Sequence, residues 1–75
     1  MVRGYPATVA RRIAEEFLDS GACGPGARLP SVRELRKRYG VSATTVAQAL
    51  GLLQAQGRVS KQHGRGTFVT ERTVG

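Results

Sequence analysis

A chain of 75 residues has room for one small folded unit and a marginal core. Twelve Lys and Arg against five Asp and Glu leave a net charge of +7, and ten of the twelve cations are arginine, the side chain best shaped for phosphate and guanine. One cysteine, Cys23, excludes an intramolecular disulfide, and no apolar run is long enough for a bilayer span or a signal-peptide core.

In chain order, residues 1–5 read as a loose terminus. Pro6 suits the first turn of a helix. Val9, Ile13 and Phe17 recur at i, i+4, i+8 beside Ala10, Ala14 and Leu18, which predicts an amphipathic helix ending at Gly21. On its other side Arg11–Glu15 and Arg12–Glu16 pair at i, i+4 as a solvated face. Residues 21–27 hold three glycines and a proline and read as a plain connector; without a Lys-Ser/Thr ending they make no phosphate-binding loop. Cys23 in that connector has no local His or acid and reads as a bystander.

A second helix begins at a capping box, Ser31 with Glu34. Val32, Leu35 and Tyr39 are expected to face the core, Arg33, Arg36 and Lys37 to share another face, and Gly40 to stop the helix. The turn Gly40-Val41-Ser42 is short, and Ser42 caps a third helix over residues 42–56. Val46, Ala49, Leu50 and Leu53 form its buried stripe; Thr44 and Gln48 point away, flanked by Ala47, Gly51 and Ala55, and Gly57 closes it. Residues 58–70 read as a hairpin with Val59 and Phe68 as its apolar residues and a tip over His63, Gly64, Arg65 and Gly66. Phe17, Tyr39 and Phe68 are expected to be buried. Residues 71–75 read as a tail or the start of a linker. The fold class is therefore mainly α with a small β-hairpin: a three-helix winged helix-turn-helix spanning residues 6–70.

That architecture predicts double-stranded DNA as the partner. A major groove admits one α-helix, presented by its N-terminal residues. Here those are Ser42, Ala43, Thr44 and Thr45, all short, with hydroxyls and helix-end N–H groups suited to phosphate. Thr and Ala methyls can meet thymine methyls, and Gln48 can pair with adenine. Arg33, with Arg36 and Lys37, lies at the groove edge, and an arginine between two glycines on a hairpin tip is free to enter a minor groove. The expected DNA-facing set is Ser31, Arg33, Arg36, Lys37, Ser42, Ala43, Thr44, Thr45, Ala47, Gln48, His63, Gly64, Arg65 and Gly66. With one His, one Cys and no paired carboxylates the chain does not read as an enzyme, and no cofactor or metal is expected.

Four motifs in order, LPSVREL (residues 29–35), GVSATTVAQAL (40–50), the Gly57 break and HGRGTFV (63–69), resemble the N-terminal DNA-binding domain of the GntR family of bacterial transcription regulators. The resemblance implies a winged domain on operator DNA, bound as a dimer on a short palindrome. It implies that Arg33 reaches into the major groove, that Thr44 and Thr45 open the recognition helix, and that His63 and Gly64 form the wing tip in the minor groove. Two features depart from the family. Ala43 and Ala47 stand where arginines that read guanines are common, so the operator is expected to be read more through Arg33, Gln48, thymine methyls and the wing, with looser specificity. The effector-binding, dimer-forming domain of such regulators has no counterpart in these residues, so the expectation is a fragment of a longer regulator, with a free-standing DNA-binding module as the alternative, weakly associating or monomeric by itself, and with a metabolite effector only in a parent protein that has such a domain.

The expected role is repression in the bacterial cytoplasm, at the nucleoid. Two alternatives remain open: a winged helix that binds protein, against which the basic wing and Arg33 argue, and an RNA-binding winged domain, which lacks the exposed aromatic platform of single-strand readers.

Overall fold

The computed structural model describes residues 5–62 and 64–70. The expected loose terminus over residues 1–4, the tail over residues 71–75 and the wing residue His63 lie outside them. The elements, in order, are α1 (Pro6–Ile13) running into a π-helical segment (Ala14–Asp19), α2 (Val32–Tyr39), α3 (Ala43–Ala55), β1 (Val59–Gln62) and β2 (Gly66–Val69).

Each helix end has a local cause. Pro6 opens α1 where its missing N–H costs nothing. Ser31 and Glu34 form the full capping box: the Glu34 N–H donates to Ser31 Oγ at 3.2 Å and the Ser31 N–H donates to Glu34 Oε1 at 3.0 Å. Gly40, with φ 66° and ψ 36°, takes the left-handed cap of α2, and its N–H donates to the Arg36 carbonyl. Ser42 then caps α3 through the Thr45 N–H at 3.2 Å.

The core sits between α1 and the inner face of α3, with α2 and β1 packed against α3. Val9, Ala10, Ile13 and Ala14 meet Val46, Ala49, Leu50 and Leu53 there, joined by Leu29, Leu35 and Val59. The α3 stripe is buried as its spacing predicts.

Four expectations change. The first helix does not stay α-helical to Gly21: from Ala14 it widens into i→i+5 bonding, which takes the later side chains off the α-helical stripe. Phe17 and Leu18 are accordingly half-buried at the edge of the core. Val32 is exposed at 36%, and Leu29, 2% exposed and tied to β2 through the Thr67 carbonyl, joins the core instead. Tyr39 is only half-buried, since its phenol turns outward to donate to Glu16 Oε1 at 3.0 Å. Phe68 is also half-buried: in the antiparallel register Val59↔Val69 faces the core, so Ser60↔Phe68 falls on the opposite face.

The connector before α2 is also more than a connector. Arg28 bridges to Phe68, the Leu29 N–H donates to the Thr67 carbonyl at 2.8 Å, and the Val69 N–H donates to the Ala27 carbonyl at 2.8 Å. β2 therefore lies between β1 and residues 27–29, and these bonds draw Leu29 onto the core.

The π-helical segment places its acids on other elements. Glu16 accepts from Arg38 Nε at 2.7 Å and from Tyr39, and Asp19 accepts from Arg58 at 2.7 Å. The Arg38 guanidinium lies 4.9 Å from the Phe17 ring centroid, a cation–π contact. Arg38 thus ties α2 to the first helix.

The hydrogen bond from Arg38, ahead of those from Tyr39 and the nearby arginine charges, holds the Glu16 carboxyl below the ordinary carboxylate range. A lowered folded-state pKa gives stability that is complete above the unfolded value of about 4.3 and is lost as pH falls through the lowered value. Glu16→Gln is therefore expected to lower the thermal midpoint at neutral pH, with the gap to the unchanged chain closing below about pH 4.3. Melting followed by circular dichroism across that range checks it; a constant gap would refute the linkage. Leu53→Ala, which empties a site 2% exposed at the centre of the core, is expected to cost about 2–5 kcal/mol in urea denaturation.

Candidate nucleic-acid interface

Along α3, Thr44, Ala47, Gln48 and Gly51 are exposed on the face away from the buried stripe, and Ala43 is exposed in the first turn. They leave a low, uncharged surface along a helix that carries no acid or base anywhere in Ala43–Ala55. Such a surface lets a helix backbone approach a groove floor closely. Its hydroxyls are not equally available. Ser42 Oγ is engaged as the cap, and Thr45 Oγ1 lies 3.0 Å from it in a half-buried position. Thr44 is exposed and makes no side-chain hydrogen bond among the described residues.

The charges surround this neutral strip. Arg33, Arg36 and Lys37 on α2 line one open cleft with Gly40 and Val41 of the turn, so the structure brings the three expected cations together beside the start of α3. Ser31, exposed at the α2 N-terminus, has its hydroxyl and its N–H committed to the Glu34 capping box. The Ser31 N–H, then the Ser31 hydroxyl, hold the Glu34 carboxyl below its ordinary value, with the Arg28 and Lys37 charges adding to the effect.

The hairpin supplies a further group. Gly64 and Gly66 take φ of 76° and 116°, which a side chain would resist, and the Arg65 N–H donates to the Gln62 carbonyl at 2.9 Å to close the turn. Arg65 is held exposed at the tip between them. Gly66 is not open to solvent in the way the tip is: a methyl group added there would meet Arg28 Nε at 2.9 Å and Nη2 at 3.3 Å. Arg28, an exposed cation beside the wing, is absent from the set read off the sequence. Its signal is a strand pairing between residues distant in sequence, which a motif does not display.

The acids explain the distribution of free charge. Glu15 pairs with Arg11, Glu16 with Arg12 and Arg38, and Asp19 with Arg58, all through the first helix. Among the described residues no carboxylate lies within salt-bridge distance of Arg28, Arg33, Arg36, Lys37, Lys61 or Arg65. The paired cations gather around the first helix, and the unpaired ones around α2, residue 28 and the hairpin. That asymmetric charge is the electrostatic footprint of a polyanion-binding face. No group of three His, Cys, Asp or Glu among the described residues is placed to hold a metal, and no helix there is long and apolar enough to cross a membrane.

Comparison with known proteins agrees with this geometry. Residues 7–69 match the model of the gntR family, described as bacterial regulatory proteins. Over 63 residues, the chain is 40% identical to the uncharacterised HTH-type transcriptional regulator Rv0494 of Mycobacterium tuberculosis; the match takes in 84% of this chain and 26% of that protein. It is 36% identical over 69 residues to the HTH-type transcriptional repressor NagR of Bacillus subtilis, covering 88% of this chain and 28% of NagR. The chain thus spans about a quarter of the length of these relatives. Among solved structures, the AraR DNA-binding domain in complex with operator ORX1 superposes with a TM-score of 0.83 at 33% identity, covering 93% of this chain and 82% of that one.

The Ser42 cap holds the exposed start of α3 in place. Ser42→Ala is expected to cost about 1 kcal/mol in stability and to speed amide exchange at Thr45, whose N–H loses its acceptor. Unchanged protection at Thr45 would show that the cap does not order this end.

Proposed function

The chain belongs to the GntR family of bacterial regulatory proteins and is a DNA-binding winged helix of that family, and we propose that it reads an operator with α3 in the major groove and the β1–β2 wing in the adjacent minor groove. The observation that carries the reading is the separation of charge: among the described residues every ion pair engages the first helix, while the cations without an acidic partner there flank the neutral face of α3.

Each element takes a part. Arg33, at the edge of the groove, is the main candidate for a bidentate guanine contact, with Arg36 and Lys37 on phosphates. Thr44 and Gln48, with the methyls of Ala43 and Ala47, read the groove floor, favouring thymine methyls and adenine. Ser42 and Thr45 serve chiefly to order the helix end that faces phosphate. Arg65, with Gly64 beside it, enters the minor groove, where a narrow, A·T-rich segment concentrates negative potential. His63, from the resemblance alone, joins Gly64 at that tip.

For the whole regulator we propose repression from a palindromic operator bound by a dimer in the cytoplasm. In that arrangement a companion domain makes the dimer and takes a small-molecule effector. The lengths of the relatives and the name of NagR as a repressor support this.

Selection from a random duplex library, followed by titration of the winner at several salt concentrations, tests the reading. The expected result is an enriched palindromic motif whose log K falls steeply with log salt. Retention of duplexes without any enriched motif would overturn base reading by α3. Ala43→Arg restores a guanine-reading side chain at an exposed position. It is expected to shift the selected motif towards a new guanine, with a discrimination of about 1–3 kcal/mol. Identical motifs before and after the change would remove α3 from the major groove.

A further inference from the structure

We propose that Arg28 is a phosphate-contacting residue that grips the DNA strand running between the two grooves. This rests on the reading of α3 and the wing given above and extends it to a residue outside both.

Arg28 lies in the short segment that pairs with β2, on the same face of the sheet as its bridge partner Phe68. Its guanidinium covers Gly66 at the base of the wing. Three residues further on, Ser31 caps α2, the helix that carries Arg33. Arg28 therefore stands on the short segment that joins β2 of the wing to the start of α2, between the element that borders the major groove and the element that enters the minor groove. In a DNA duplex those two grooves are divided by a sugar–phosphate strand. A protein that fills adjacent grooves with two elements must straddle that strand, and a cation lodged between the elements faces it.

Three further facts fit a contact rather than a purely internal brace. Arg28 is exposed and has no carboxylate within salt-bridge distance among the described residues. Its backbone is fixed by a pairing on each side, the Leu29 N–H to the Thr67 carbonyl and the Val69 N–H to the Ala27 carbonyl, so the point from which the side chain projects is set before DNA is met. Gly66 gives the guanidinium room: with φ 116° and no Cβ, it lets Arg28 lie across the wing where any other residue would push it away.

The test compares Arg28→Gln and Arg28→Lys with the unchanged chain on two probes, a duplex carrying the selected motif and a scrambled duplex of the same length. Arg28→Gln is expected to bind both roughly tenfold more weakly at moderate salt, because a phosphate contact carries no base information. Its slope of log K against log salt is expected to be shallower by about 0.9, the loss of one phosphate contact. Arg28→Lys keeps the charge and is expected to keep the slope. Replacing single phosphates by uncharged methylphosphonates gives a second readout. One position between the two grooves is expected to weaken the unchanged chain and leave Arg28→Gln unaffected.

A folded Arg28→Gln with the slope of the unchanged chain, or with the same sensitivity at every methylphosphonate, would overturn the proposal and leave Arg28 as a brace for the wing. If the unchanged chain shows neither a motif nor a salt dependence, the reading of α3 and the wing fails first, and the proposal with it. The two failures are therefore told apart by the unchanged chain alone.

Discussion

The packing of the α3 stripe against α1 is the constraint on which the rest depends. Val46, Ala49, Leu50 and Leu53 occupy one side of a helix of 13 residues, and Val9, Ala10, Ile13 and Ala14 close over it. In so small a chain nearly all of the apolar burial is invested in this one seam, to which Leu29, Leu35 and Val59 bring α2 and the hairpin. Because α3 is anchored from behind, its outward face is released from any structural duty and can consist of alanine, threonine, glutamine and glycine.

The electrostatic arrangement follows from the same economy. Three of the four described acids tie parts of the fold together: Glu16 and Asp19 fasten the first helix to α2 and to the residue before β1, and Glu34 completes a helix cap, while Glu15 pairs with Arg11 along the first helix. The joints of Glu16 and Asp19 neutralise Arg38 and Arg58, and Glu34 closes a local backbone bond. Positive charge is left on α2, at residue 28 and on the hairpin, where among the described residues no carboxylate is in salt-bridge range. The free charge is thus the remainder of the folding problem as much as a separate feature: Arg38 and Arg58 are engaged in joints, while Arg33 and Arg65 have no carboxylate partner among the described residues and, in the proposed reading, serve DNA.

What was legible in the sequence is what is decided locally. Ser31 with Glu34, Gly40 and Ser42 act within one helical turn, so the helix boundaries around the turn could be read from residue type and spacing. The α3 stripe was legible because all four positions meet the same seam. What escaped was set by partners far along the chain. Val32 has the spacing of a core residue, but Leu29 is drawn inward by bonds to β2, nearly forty residues later. The widening of the first helix brings Glu16 to Arg38 and Tyr39, a demand that periodicity does not carry. Phe68 looked buried because it is aromatic, yet the pleat register assigns the inward place to Val69. Arg28 was passed over for the same reason: its neighbours Gly66 and Phe68 are adjacent only after the sheet has formed.

The neutrality of α3 has one more consequence. Attraction to DNA acts at a distance and is indifferent to sequence; it governs how fast a protein arrives and how freely it slides along the duplex. With no charge in Ala43–Ala55, those properties would, in the proposed arrangement, belong to α2, residue 28 and the hairpin, and the strip on α3 would contribute only at contact range. Uncharged replacements on that strip can therefore redirect the chain to a different sequence without altering its search, so that a lineage can change its target while keeping its kinetics.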